Sequence, residues 1–216
     1  MDVAPELGER VRVNPFGVDL PDPADPACEE PDTMLFVGNF MHPPNLDAAA
    51  WLAREIVPRI RVLRPSARLT IVGAALPGQI RALGGDGVEF VGGVPLIGPV
   101  LESTALVLAP VRHGGGMRMK VLQALASGKA TVTTRRGAEG LLLEDEEPPL
   151  VVADDADAIA SAAALLLDDH AERRALGTRA REFVRRRHSP EAYARRLEAV
   201  YEEAIAERDE PETRQR

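Results

Sequence analysis

Short apolar runs rich in valine, isoleucine and leucine alternate along this chain with longer stretches whose apolar residues recur every three or four positions. Unbroken apolar runs of that length suit strands covered on both faces. Their alternation with helical stretches predicts βα units around a mostly parallel sheet, an α/β fold. The predicted strands are 11–13, 34–37, 69–72, 88–91, 105–109, 131–134 and 150–152. Predicted helices span 45–63, 77–83, 96–103, 117–127, 155–167, 171–187 and 190–207. In the first of these, Leu52, Ile56, Ile60 and Leu63 form one buried stripe, Asn45 can cap the start, and Pro58 should kink the middle. Trp51 reads as a core anchor rather than a platform for a ligand. The segment 21–31, with four prolines and four acids, reads as a loop.

Four of the strands end at or beside Gly38, Gly73, Gly92 and Pro110. In open α/β sheets ligands bind beyond the carboxyl ends of strands, where small residues let the backbone come close. The same residues also simply make turns.

Charge sharpens the picture. Twenty-six basic against thirty-four acidic residues give a net charge of −8, which repels a phosphate polymer and disfavours nucleic acid as a partner. The charge is also blocked. Between Glu102 and Glu139 lie thirty-six positions without a carboxylate, yet with Arg112, Arg118, Lys120, Lys129, Arg135 and Arg136. Eight carboxylates follow directly in 139–157, then seven arginines against two glutamates in 172–187. The single cysteine, Cys28, and four scattered histidines offer neither an internal disulfide nor a set of ligands at metal spacing. The longest apolar stretch, the ten residues of 158–167, is far short of the ~20 that a membrane span requires, and the acidic start lacks the plan of a signal peptide. The expected location is the cytoplasm.

The acid-free window contains Gly114, Gly115 and Gly116 between a strand and the helix that starts near Met117. Backbone without side chains can aim several N–H groups at one ligand, and the first turn of a helix adds unpaired N–H groups and partial positive charge. Arg118 and Lys120 place cations where the helix dipole by itself favours carboxylates, which makes sense if a bound anion supplies the negative charge. The combination predicts a site for a diphosphate. The spacing is not that of a P-loop: Met119 stands at the second glycine position and Val121 at the Ser/Thr position. His113, beside the glycines, can contact a ligand or cap the loop.

The ordered segments PFGVD (15–19), FVGNF (36–40), PNLDAA (44–49), LTIVG (69–73), VEFVGGV (88–94), GGGMRMKVLQALASGKATVTT (114–134) and GAEGL (137–141) together resemble the C-terminal, donor-binding half of GT-B retaining glycosyltransferases of the family 4 type. The similarity is greatest to sugar transferases associated with exopolysaccharide synthesis, and it covers residues 11–205. The resemblance implies a Rossmann-like three-layer domain, one half of a GT-B fold, with added C-terminal helices. Such a domain binds a nucleotide-diphosphate sugar while a second domain or polypeptide holds the acceptor. It needs no metal or other cofactor. On this reading 1–10 is the remnant of a linker or upstream domain, 11–207 the nucleotide-sugar-binding domain, and 208–216 a polar tail.

The resemblance also assigns residues. Gly114, Gly115, Gly116, Met117 and the helix start with Arg118 match the donor phosphate region, and Lys120 matches the lysine of this variant. Gly38 and Asn39 lie where the family meets the phosphates, with Asn39 in the place of an arginine and Pro43 or Pro44 in that of a lysine. Val94 matches the position that meets the base. Gln123 replaces the second glutamate of the paired-glutamate motif, which holds the ribose, and Gly115 stands where the first, sugar-facing glutamate is expected. No catalytic acid or base is assigned. A non-catalytic nucleotide-sugar binding or protein-interaction module derived from such a glycosyltransferase is the alternative. An epimerase relative is disfavoured because the sequence puts no carboxylate near the glycine turn.

Overall fold

The computed structural model describes residues 11–22, 25–75, 78, 84–141 and 146–209. Its centre is a six-stranded, wholly parallel sheet of β1 (Thr33–Val37), β2 (Arg68–Val72), β3 (Val88–Gly92), β4 (Leu106–Ala109), β5 (Thr131–Thr133) and β6 (Val151–Val152). The spatial order is β3-β2-β1-β4-β5-β6. This is the doubly wound order, in which the chain reverses direction of travel between β1 and β4 and leaves a crevice beyond their carboxyl ends.

The helices are α1 (Pro43–Trp51), α2 (Val57–Leu63), α3 (Gly98–Ser103), α4 (Met119–Ala126), α5 (Arg135–Ala138), α6 (Ala156–Asp168), α7 (His170–Arg187) and α8 (Pro190–Asp209). Alternate strand residues point to opposite faces. Met34 and Phe36 of β1, with Leu69, Ile71, Leu106 and Leu108, pack against α1, α2 and α6. Leu35, Val72 and Val107 point the other way, toward Leu101 of α3 and Ala124 of α4. A further cluster joins Val121, Leu122 and Leu125 of α4 to Phe183 and Val184 of α7. Both faces of the central strands are therefore dry, which is why those strands read as apolar runs, whereas Val91 of β3 and Val152 of β6 remain exposed. Each fully buried Leu, Ile or Phe contributes about 1.5–3 kcal/mol.

The predicted strands from 34 to 152 lie within a residue or two of those observed. The stretch 11–13 does not join the sheet; its neighbourhood is tied to the helices by side chains instead. Arg196 donates to the Asn14 side chain at 3.0 Å and to the Pro15 carbonyl at 3.0 Å, and the Val18 amide donates to the His188 carbonyl at 2.7 Å. The helix predicted at 45–63 begins earlier, at Pro43, and does not break at Pro58. One π-helical turn, Leu52–Ile56, intervenes, with the Val57 amide donating to the Leu52 carbonyl. The wider turn absorbs the hydrogen bond that proline cannot make. The loop 21–31 contains a 3-10 turn, Pro26–Cys28, and the short α5 was not foreseen. Apart from Gly78, the helix predicted at 77–83 lies outside the described residues, as do residues 1–10 and 210–216. Among the described residues no helix is long and apolar enough to cross a membrane.

Candidate functional site

The crevice between β1 and β4 collects most of the residues singled out by the sequence. Gly38 follows β1, and the chain leaves β4 through Pro110 into the glycine turn. Gly114 and Gly116 adopt φ of +90° and +80°, values that side-chain-bearing residues avoid, and the spaces beside Gly115 and Gly116 are open. Among the described residues, no backbone amide from His113 to Met117 donates to a protein acceptor. The carbonyls of the turn are engaged instead: Arg118 donates to the Gly115 carbonyl at 2.9 Å and to the His113 carbonyl at 3.2 Å. With the carbonyls held back, the amides remain free for an outside acceptor. Arg118 is the N-cap residue of α4 and makes no side-chain cap bond; its Nε is buried without a partner.

Lys120 lies one layer deeper. Its Nζ donates to the side-chain oxygen of Asn45 and sits 4.7 Å from the centroid of the Phe36 ring. Gly38 leaves room for this, since a Cβ there would lie 3.3 Å from Nζ. No carboxylate pairs with Lys120 among the described residues. Burial lowers its pKa to about 8, and the neighbouring Arg118 charge adds to the shift. Desolvation likewise lowers Arg118, opposed by Glu139 and reinforced by Arg136. Asn45 is thus not the helix cap expected from the sequence. His42 is at the N-cap, and Asn45, one turn in, faces the crevice, donating to the Asn39 carbonyl at 2.8 Å while accepting from Lys120.

The other assigned residues surround this centre. Asn39 is exposed, and its side chain accepts from the Met41 amide at 3.0 Å, shaping the turn into α1. A Cβ at Gly114 would lie 3.6 Å from the Pro44 ring. Because α1 opens with Pro43 and Pro44, its first turn offers few N–H donors. Val94 is partly buried against the cluster of Leu35, Val72, Leu101, Val107 and Ala124, and Gln123 borders a small cavity with Val37, Ile97 and Lys120. His113 is exposed and leans toward Asp47, 3.7 Å from Nε2. Arg112 holds the same carboxylate with two hydrogen bonds of 3.0 and 2.6 Å and stacks 4.5 Å from the Trp51 ring centre. That hydrogen bonding keeps Asp47 below and Arg112 above their ordinary ranges. Trp51 is buried as expected, with Arg112 as its lid.

One sequence inference is corrected. A carboxylate does stand near the glycine turn: Glu139, at the end of α5, reaches Arg118 electrostatically. The chain folds back because Gly140 (φ +84°) lies so close to the turn that a Cβ there would be 2.9 Å from the Cα of Met117. The GAEGL segment was the signal, and distance along the chain hid it. Phe36 and Asn45, the two groups in contact with Lys120, were also missed as site residues although both lie in quoted motifs.

The comparisons agree with this geometry. The family model for glycosyl transferases group 1 matches residues 31–169, which take in the sheet, the glycine turn and Lys120. The chain belongs to that family. One relative of this glycosyltransferase domain is a Klebsiella pneumoniae protein described as an uncharacterized 44.6 kDa protein in the cps region, 27% identical over 116 residues, half of this chain and 30% of that protein. Solved structures with the same fold include sucrose-phosphate synthase from Thermosynechococcus elongatus, with a TM-score of 0.69 and 24% identity over 90% of this chain and 53% of that one. TarM of S. aureus, solved with UDP, gives a TM-score of 0.69 at 14% identity over 86% and 38% of the respective chains. Anabaena HepE, solved with UDP and glucose, gives 0.61 at 16% over 80% and 48%. The chain spans about a third to a half of the length of the proteins it matches.

Proposed function

We propose that this domain binds a nucleotide-diphosphate sugar through its diphosphate, for transfer of the glycosyl group to an acceptor held by a second domain or polypeptide. The observation that carries the reading is Lys120, drawn out of water beside Arg118 with no carboxylate to balance it, beneath a turn whose amides are unclaimed. A buried cation without a counterion is costly, and a dianionic ligand offsets that cost. In a retaining transfer of the family 4 type the same groups would stabilise the leaving diphosphate as its charge grows, without a metal or cofactor. UDP in the related structures and the cps-region relative support a nucleotide sugar as donor and an exopolysaccharide as the setting.

Gly115 and Gln123, which replace the paired glutamates the family resemblance leads one to expect, favour a second reading: a nucleotide-sugar binding module that no longer catalyses. The two readings share the diphosphate site and part at transfer. Thermal unfolding with UDP, GDP, ADP and TDP tests the shared part. A nucleotide at one hundred times its dissociation constant stabilises by ~2.7 kcal/mol, raising the midpoint by about 5–10 °C for a chain of this size. Four unchanged midpoints would refute donor binding. If one nucleotide stabilises, sugar transfer in the presence of an acceptor-domain polypeptide separates enzyme from binder.

A further inference from the structure

A hollow of about 440 Å³ lies at the opposite end of the sheet from the crevice, where α4 ends and β5 begins, with one face of α7 as its wall. Its floor is bare backbone: α7 crosses the end of α4 at Gly177, where a Cβ would lie 2.0 Å from the Gly128 carbonyl oxygen. Helix α7 carries seven arginines. Five of them have carboxylate partners: Arg173 has Glu29, Arg179 has Glu172, Arg185 has Glu182, and Arg186 and Arg187 share Glu146. Arg174 and Arg181 pair with no carboxylate among the described residues, and both line this hollow. They stand two helical turns apart on one face. Arg181 donates one Nη to the Ala126 carbonyl at 2.7 Å, which fixes its guanidinium over the end of α4.

Two of the three carboxylates of the hollow are already engaged. Glu182 accepts from Arg185 with both oxygens, at 2.8 and 2.7 Å, and Glu29 is held by the buried Arg173; the third, Asp25, is exposed. With Arg173 included, five cations meet three carboxylates, an excess of two. The hydroxyls of Ser127 and Thr178 give their protons to the Gln123 and Arg174 carbonyls, at 3.0 and 2.9 Å, so their oxygens remain as acceptors. The hollow thus offers two unbalanced arginines to a dianion and a set of acceptors to hydroxyl groups. We propose that it binds a small phosphorylated polyol, with the phosphate between Arg174 and Arg181 and the hydroxyls donating to Ser127, Thr178 and Asp25. A phosphate monoester carries close to two negative charges at neutral pH, and the arginine fork matches its oxygens. The site does not depend on the nucleotide-sugar reading, since the length of α4 separates it from Lys120.

Isothermal titration of the whole chain with glucose 6-phosphate, ribose 5-phosphate and glycerol 3-phosphate, beside glucose and inorganic phosphate, tests this for the unaltered protein, Arg174→Gln, Arg181→Gln and Lys120→Met. At least one ester should bind about tenfold or more tighter than inorganic phosphate, and glucose should not bind. Arg174→Gln, on an exposed helix face where folding is not at stake, should weaken that ester by about tenfold or more, the loss of one charge-assisted contact. Arg181→Gln should do the same, and Lys120→Met should leave the affinity unchanged. In ¹H–¹⁵N spectra the ester should move the amides of Gly128, Gly177 and Thr178 and spare the glycine turn. The proposal is overturned if none of the three esters binds, if glucose or inorganic phosphate binds as tightly, or if Arg174→Gln keeps the full affinity. Loss of binding in Lys120→Met with shifts at the glycine turn would also overturn it, because the phosphate would then sit in the crevice.

Discussion

Two lysines are withdrawn from water in this domain, at opposite edges of the sheet. Lys129, ahead of β5, donates to the carbonyls of Glu102 at 3.0 Å and Thr104 at 2.8 Å, with the Glu29 carboxylate 3.9 Å away. Glu29 in turn pairs with the buried Arg173 at 2.6 Å. Lys120, at the carboxyl edge, has an amide oxygen, an aromatic ring and a second cation. Desolvation depresses both lysines, but Glu29 and Glu102 work against the shift at Lys129 whereas nothing does so at Lys120. Burial by itself therefore does not mark function. The informative quantity is how far the protein has already satisfied the buried charge. Lys129 is a strut that fastens the strand ends to the segment carrying Glu29. Lys120 is incomplete, and on the proposed function the component it lacks is an anion from outside.

Substituting each lysine by methionine should break the comparison in opposite directions. Lys129→Met orphans the buried Thr104 carbonyl and the part-buried Glu102 carbonyl and leaves Glu29 one cation short. It should destabilise by about 3 kcal/mol, lowering the midpoint by roughly 6–12 °C, with nucleotide binding intact in the folded fraction. Lys120→Met should instead raise the midpoint of the ligand-free domain while weakening UDP or GDP binding by about 10–100-fold, the value of one to two charge-assisted hydrogen bonds. A fall in ligand-free stability would remove the idea that Lys120 is held at a cost. Gly140→Ala forces a Cβ onto Met117 from a φ of +84°, and should cost about 1–3 kcal/mol and displace the glycine turn; calorimetry should register both lower stability and weaker nucleotide binding. The smallest effect is in pH. The Lys120 pKa of about 8 lies below its unfolded value, so the cation is present at lower pH and lost as pH rises through 8. Nucleotide affinity should be flat below that point and fall up to tenfold per unit above it, with no such inflection in Lys120→Arg.

The sheet was legible because burial on both faces writes itself into β1, β2 and β4 as apolar runs, and α6 and α7 because capping aspartates and periodicity coincide. Asp155 and Asp169 accept from the Ala158 and Glu172 amides as that pattern implies. The glycine turn and its cations were also legible, because both lie in one segment. Contacts that depend on how distant segments meet were not. Nothing in the order of residues says that Asn45 turns from capping its helix to holding Lys120, or that Arg112 spends its charge on Asp47. The approach of Glu139 to Arg118 required Gly140 to fold onto Met117, a contact across more than twenty residues. Residues 11–13 have the composition of a strand, but the sheet pairs them with nothing, and Arg196 and His188 anchor the neighbouring segment instead.

The central claim is that the amides of the turn, with Arg118 and Lys120, cradle a pyrophosphoryl group. Two-dimensional ¹H–¹⁵N spectra of the labelled chain, titrated with whichever of UDP, GDP, ADP and TDP stabilises it, test that claim residue by residue. The account predicts that the largest shifts fall on the amides of Gly114, Gly115, Gly116 and Met117 and that Lys120→Met suppresses them. Saturation by the nucleotide with those four resonances unmoved would contradict it.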